Sequence, residues 1–247
     1  MSFTVRCVYD EGAAIGTSFI GAKGFSLLIE ADGKRVLFDA GKRGRYLLHN
    51  LGLMGVDADS IDAVVISCGH ADHTGGLRAL LKERTVPLNI YAPASAAGVK
   101  TIFGSKGLYI PEEYSEKAIV SPTGDWTEIS DRMHMSPPFG KEGESFLVID
   151  ASGGPAVLSA RSGFGVGKAV SATEEKFGRA PAAYVGGVLM RRNDDSGADA
   201  AAAVFSASGC RDLHLNHCTG QFGITRLRVN LGLAGVKDFY VGESIEL

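Results

Sequence analysis

Four side chains able to bind a metal fall within the stretch 68–73: Cys68, His70, Asp72 and His73. A thiol, two imidazoles and a carboxylate make a donor set of borderline softness, the kind zinc and its first-row neighbours accept. Positions 68, 70 and 72 point one way along an extended backbone, and His73 turns off where a helix begins. So short a segment can feed two adjacent metal positions. The competing reading is a polar strand-end loop with two solvated histidines. The concentration of ligand types in one loop favours the metal.

The flanking residues say how such a loop is held. Val64-Val65-Ile66 is a β-branched apolar run that reads as a buried strand. Thr74-Gly75-Gly76 follows the ligands, and Leu77, Leu80 and Leu81 then recur at helical spacing. The arrangement is strand, polar loop, helix.

The 247 residues are 45% apolar and 21% charged, with a net charge of −3. Such a composition is globular, with ample material for a core, and one domain over 1–247 is expected. Weak acidity argues against nucleic-acid binding, which needs clustered Lys and Arg. No run of about 18 apolar residues appears, so no membrane partner is expected. The opening MSFTVRCVYDEG lacks the sections of a secretion signal. Cys7, Cys68, Cys210 and Cys218 are too few for a disulfide framework at this length. The expectation is a cytoplasmic chain with reduced thiols. Its partner would be a small-molecule substrate, and the sequence leaves the oligomeric state open.

Strands are expected at 3–8, 25–30 and 35–38, the last two joined by a hairpin turn at 31–34 that carries Asp32 and Gly33. Asp39-Ala40-Gly41 closes the third strand, where an Asp ordinarily serves as a turn residue. A helix over 43–53 shows Tyr46, Leu47, Leu48 and Leu51 on one face, with Gly52 as its stop and His49 as a structural histidine. After the ligand loop, Lys82, Glu83 and Arg84 are expected to face water, and 86–91 to form a strand. The segment 104–145 is read by its position as an insertion or lid. Within it Trp126 and Ile129 are expected to anchor core, and His134, between two methionines, to be structural.

Strands resume at 146–149, 156–159 and 180–187. A polar loop from Asn193 to Gly197 and an alanine-rich helix over 198–206 follow, then an alternating strand from 213, and a last strand pair at 239–245. Glycines 163, 165 and 167 before Lys168 do not have Walker spacing, because Ser162 and Ala169 occupy the wrong positions. Cys210, His214, His217 and Cys218 suggest a small zinc knuckle as one reading, although strand alternation turns His217 and Cys218 to opposite faces.

The stretch Ser67-Cys68-Gly69-His70-Ala71-Asp72-His73-Thr74-Gly75-Gly76-Leu77 resembles the S-H-x-H-x-D-H-x-G-G motif of the metallo-β-lactamase superfamily, and His217-Cys218-Thr219-Gly220 resembles its late H-C-T-G. The order of elements is similar to the dihydropterin ribofuranosylaminobenzene-phosphate synthase-like branch. The resemblance implies an α+β fold, a four-layer αββα sandwich with metals at one edge between two sheets. It also implies that Asp72, His73 and His217 form one intact ligand set, with Asp72 helping to orient a metal-activated water. The other set keeps His70, has Cys68 in place of a histidine, and lacks its third ligand at Gly163; family histidines are missing at Lys23 and Leu189 as well. Cys68 is either a thiolate ligand or filler beside a vacated position. Asp39, in the family's L-F-D-x-G element, is expected beneath the loop rather than on the metal. Zinc is the expected cofactor, one ion held and a second weak or absent, with iron or manganese as alternatives. The implied function is a metal-dependent hydrolase, or a family-like transferase acting on a phosphate-bearing small molecule. The alternative is a non-catalytic descendant that binds a small ligand or a partner.

Overall fold

The computed structural model describes residues 2–31, 33–98, 107–190 and 194–247. Asp32 of the expected hairpin turn, the start of the expected lid at 104–106, and Asn193 of the expected polar loop lie outside the described residues. The chain divides into two compact units: Met1–Thr127 with Pro137–Ser145 and Tyr240–Glu246, and Glu128–Ser136 with Phe146–Phe239 and Leu247.

The first unit is built on a sheet in the order Ser244–Glu246, Thr4–Tyr9, Ser26–Ala31, Lys34–Phe38, Ala63–Val65, Leu88–Pro93, Ala118–Thr123. Its first four strands pair antiparallel, and from Lys34–Phe38 onward the strands are parallel. The expected apolar run becomes the Ala63–Val65 strand, buried at every residue. Helices Gly44–Leu53 and Leu77–Glu83 bury Leu47, Leu51, Leu77, Leu80 and Leu81 in one cluster with Val64, Ile66 and Ile90 of the sheet. Each such leucine contributes about 1.5–3 kcal/mol. The parallel strands turn polar together at their carboxyl ends, reaching Asp39, Ser67 and Ser95. Ligand sites in parallel sheets gather at that edge.

The second unit has a sheet in the order Val236–Asp238, Asp212–Leu215, Ala183–Gly186, Gly154–Ser159, Leu147–Ala151, Met133–Met135, Thr127–Ser130. Its first four strands are parallel, and Leu147–Ala151 and Met133–Met135 are added antiparallel. Helices Val166–Phe177, Asp195–Ser208 and Gly220–Leu231 lie between successive strands in sequence. The alanine-rich helix starts earlier than 198 because the Asp194 carboxylate accepts from Gly197 N at 2.9 Å, a side-chain cap.

Several local expectations change. The sequence pattern provides no helix for 166–177 or 220–231, since glycines open both and the second buries only Gly223, Ile224 and Leu227. Gly52 lies inside the first helix, and the chain turns at Gly55, with φ 70°. Trp126 and Ile129 are half-buried rather than core. The expected strand pair at 239–245 resolves into Val236–Asp238 and Ser244–Glu246, which belong to different sheets. Asp72 is not extended; it sits in the short helix Ala71–Thr74.

The largest correction concerns Arg84, which is buried instead of facing water. Its guanidinium donates to the carbonyls of Ala58, Ile61 (2.9 Å), Pro87 (3.0 Å) and Val86 (3.2 Å). Burial takes the residue out of water, and four chain carbonyls replace the water its donors lose. Arg84→Ala is expected to lower unfolding free energy by about 2–4 kcal/mol, because it strands buried acceptors as well as removing packing. Urea denaturation measures this; a loss below about 0.5 kcal/mol would mean that the carbonyls find water instead.

Candidate metal centre

The ligand loop leaves the sheet at Ile66, whose amide still donates to Tyr91 O at 2.8 Å. Ser67 and Cys68 are buried, and His70 is the residue that opens the helix Ala71–Thr74. The amides of His73 and Thr74 both return to His70 O. Beneath them, Ala40 N donates to His73 O at 2.7 Å and Gly76 N to Gly41 O at 3.1 Å. This approach explains the Gly-Gly pair. A Cβ at Gly76 would stand 2.0 Å from Ala40 O, and one at Gly75 2.4 Å from Lys42 O.

Asp39 is fully buried at the end of its strand, with φ 60°. Its carboxylate accepts from Ser67 N (2.7 Å), Ser67 Oγ (2.6 Å) and His73 Nδ1 (2.7 Å). A neutral imidazole that donates Nδ1–H carries its lone pair on the other nitrogen, and Nε2 of His73 lies 3.8 Å from Asp72 Oδ1. Asp39 thus sets the tautomer of a candidate ligand from below. His70 is partly exposed, and its Nε2 meets Glu142 Oε2 at 3.0 Å. Glu142 carries no sequence signal, since it lies 72 positions from His70. Burial, and then the charge of Asp39, push the Cys68 thiol up to about 12. Cys68 is therefore a neutral, packed thiol in this environment.

In the second unit three loops meet at the carboxyl ends of parallel strands. Leu189 N donates to Arg161 O at 2.6 Å, Val188 N to Thr219 Oγ1 at 2.9 Å and Met190 N to Cys218 O at 3.2 Å. A Cβ at Gly187 would collide with Ala160 O and Cys218 Sγ. Gly163, Leu189 and His217 thus sit on neighbouring loops, and His217 alone among these three has a ligating side chain. His217 is buried and left-handed, at φ 51°, opening the turn His217–Thr219. Histidine is one of the non-glycine residues that enter this region most readily. The zinc knuckle does not form among the described residues: His214 pairs with Asp212 Oδ1 at 3.1 Å, and Cys218 points its thiol at the carbonyls of Ala160 and Arg161. His49 reaches Ser18 O at 2.9 Å, and His134 packs on Phe177, both structural.

In the first unit Asp72 and His73 offer adjacent ligand atoms, and in the second His217 offers a buried imidazole. A carboxylate and two imidazoles suit a divalent first-row metal in a three-ligand site with an open position. The donor set fits.

The family model of the metallo-beta-lactamase superfamily matches residues 21–151. A curated relative, the 7,8-dihydropterin-6-methyl-4-(β-D-ribofuranosyl)-aminobenzene-5'-phosphate synthase of Methanocaldococcus jannaschii, is 34% identical over 87 residues, 34% of this chain and 30% of that protein. The match spans about a third of the length of the curated relatives. The crystal structure of a metal-dependent hydrolase of the β-lactamase superfamily aligns with a TM-score of 0.81 at 24% identity, over 99% of both chains. The metallo-β-lactamase fold protein YhfI from Bacillus subtilis aligns with a TM-score of 0.71 at 15% identity, over 100% of this chain and 99% of that one. These structures share the α+β fold.

The thiol environments can be checked directly. Cys7, Cys68 and Cys210 are buried and Cys218 is partly open. Alkylation of the native chain at pH 8 should label Cys218 first, with Cys68 resisting until the chain unfolds. Peptide mass mapping reads the order, and early labelling of Cys68 would show that its burial is wrong.

Proposed function

The chain belongs to the metallo-β-lactamase superfamily, and on that premise we propose that it is a metal-dependent hydrolase of a small phosphate- or ester-bearing molecule. The observation that supports the reading is the presentation of His73, whose Nδ1 Asp39 holds while its Nε2 lies 3.8 Å from Asp72 Oδ1. Asp72, His73 and His217 hold one divalent metal tightly, zinc by preference and iron or manganese otherwise. A metal bound there polarises a substrate oxygen and lowers the pKa of water to about 7. His73 is presented by Nε2 because Asp39 holds Nδ1. Asp72 both ligates and accepts a hydrogen bond from the attacking water, fixing its line of approach. Cys68 fills space beside the vacated position, in keeping with its buried, neutral thiol.

Transfer to a phosphate-bearing acceptor, the chemistry suggested by the partial match to the pterin-phosphate synthase, is the neighbouring reading. It differs in the nucleophile and not in the residues that hold the metal. The missing histidines at Cys68, Lys23, Gly163 and Leu189 are the ground for the contrary reading, a descendant that binds a ligand without catalysis.

Elemental analysis of the purified chain should find about one tightly held metal. His73→Ala should abolish it. Asp39→Ala should weaken it on the order of ten-fold or more, since it frees the imidazole of His73 from the orientation that the carboxylate fixes. Hydrolysis of generic phosphodiesters and esters should follow metal content. A wild-type chain that takes up no zinc, iron or manganese on reconstitution would overturn the metalloenzyme and leave the binding descendant.

A further inference from the structure

Three buried hydroxyls join two neighbouring strands of the second unit to the loops that follow them. Ser159 closes the strand Gly154–Ser159, and Tyr184 belongs to its parallel neighbour Ala183–Gly186. Ser159 Oγ lies 2.8 Å from Ser162 Oγ, Ser162 Oγ 2.6 Å from Tyr184 Oη, and Tyr184 Oη 2.9 Å from Gly187 O. This chain has one direction. A carbonyl only accepts, so the single proton of Tyr184 goes to Gly187 O. Ser162 then donates to Tyr184 and Ser159 to Ser162, while Ser159 Oγ accepts from Ser162 N at 3.1 Å. Burial pushes the Tyr184 hydroxyl above the usual phenol range, so it keeps the proton that it donates.

The carbonyl at the end of the chain belongs to a peptide that is gripped on its other side as well. Gly187 C=O and Val188 N–H are the two polar groups of one planar unit, and Val188 N donates to Thr219 Oγ1 at 2.9 Å. Thr219 closes the turn His217–Thr219, its amide donating to Asn216 O at 3.2 Å. Asn216 N donates to Gly186 O at 3.0 Å, so both ends of the turn are pinned to one short segment. His217 lies between the two pins, at φ 51°. We propose that Tyr184 is a positioning residue: through the Gly187–Val188 peptide and Thr219, its hydroxyl holds His217 in the left-handed backbone that presents the imidazole. Every residue of the path lies in the second unit. The inference rests on the reading of His217 as a metal ligand.

Packing does not account for the hydroxyls. The Tyr184 ring meets Phe205 edge-on, with centroids 5.3 Å apart, a contact that phenylalanine would make equally well. Apolar groups in place of a buried hydrogen-bonded set cost a fold little. A fully satisfied buried network does something different, because it admits one arrangement of the backbone around it. Ser162 is itself left-handed, at φ 50°, and such a conformation persists only where its surroundings over-determine it. The network thus links two left-handed residues, Ser162 and His217, on neighbouring loops. Gly187 is where the two grips meet, and the closeness of Ala160 O and Cys218 Sγ leaves no room there for a side chain.

The test uses the full chain stripped of metal. Amide hydrogen exchange is followed by nuclear magnetic resonance, and zinc affinity is measured against a chromophoric chelator. Tyr184→Phe, which keeps the ring and removes the hydroxyl, should speed exchange at Val188 and weaken zinc on the order of ten-fold. Thr219→Val should do the same, whereas Thr219→Ser should stay near wild type. The double variant of Tyr184→Phe and Thr219→Val should lose no more affinity than the worse single one, because both act on one peptide. Thr173→Val is the control for a lost buried hydroxyl in the same unit, where Thr173 Oγ1 donates to Ala169 O at 2.8 Å; it should leave zinc affinity unchanged. Circular dichroism confirms that each variant is folded. Unchanged zinc affinity in Tyr184→Phe, additive losses in the double variant, or an equal loss in Thr173→Val overturns the positioning role and leaves the metal reading standing. A wild type that takes up no zinc overturns both.

Discussion

The buried carboxylate of Asp39 is the constraint on which the candidate centre depends. A carboxylate removed from water without partners costs several kcal/mol, and here Ser67 N, Ser67 Oγ and His73 Nδ1 satisfy it. The backbone at Asp39 is tied down as well: its amide donates to Val65 O, and its carbonyl accepts from Ser26 Oγ. Three adjacent strands and the ligand loop are thus joined through one residue in a left-handed conformation. Local strain of this sort persists only when its surroundings over-determine it.

Close backbone approach does the rest. The loop can lie on the 40–42 turn because Gly75 and Gly76 have no side chains, and the short helix Ala71–Thr74 then places Asp72 and His73 at its first turn. In the second unit, Gly187 has the corresponding task, letting the loop after one parallel strand rest against the thiol and turn that follow His217. In each unit the polar loops collect at strand carboxyl ends, because parallel strands connected by helices all release their chains at the same edge.

The ligand loop was readable because its evidence is local. Cys68, His70, Asp72 and His73 are adjacent in sequence, and an apolar run and a leucine-patterned helix flank them. The fold was readable through the same motif, which lies within the 21–151 stretch that matches the superfamily's model, and through His217-Cys218-Thr219-Gly220, which resemble its late motif. Elements without strong periodicity were not. The helices at 166–177 and 220–231 begin in glycine-rich sequence, and the edge strand Ala118–Thr123 is largely half-exposed and contains Pro122, which weakens any strand pattern.

By itself, then, the sequence determined which residue types meet in one loop, which hydrophobic stripes must be buried, and that thiol, imidazole and carboxylate donors favour a divalent metal. Periodicity and donor chemistry are properties of neighbours along the chain. Tertiary structure alone decided the nitrogen by which each imidazole is held, since Asp39 and Glu142 reach His73 and His70 from 34 and 72 positions away. It also decided that Arg84 and Cys68 are buried. Those outcomes depend on which carbonyls and carboxylates the fold brings alongside, and no spacing rule encodes contacts between distant segments.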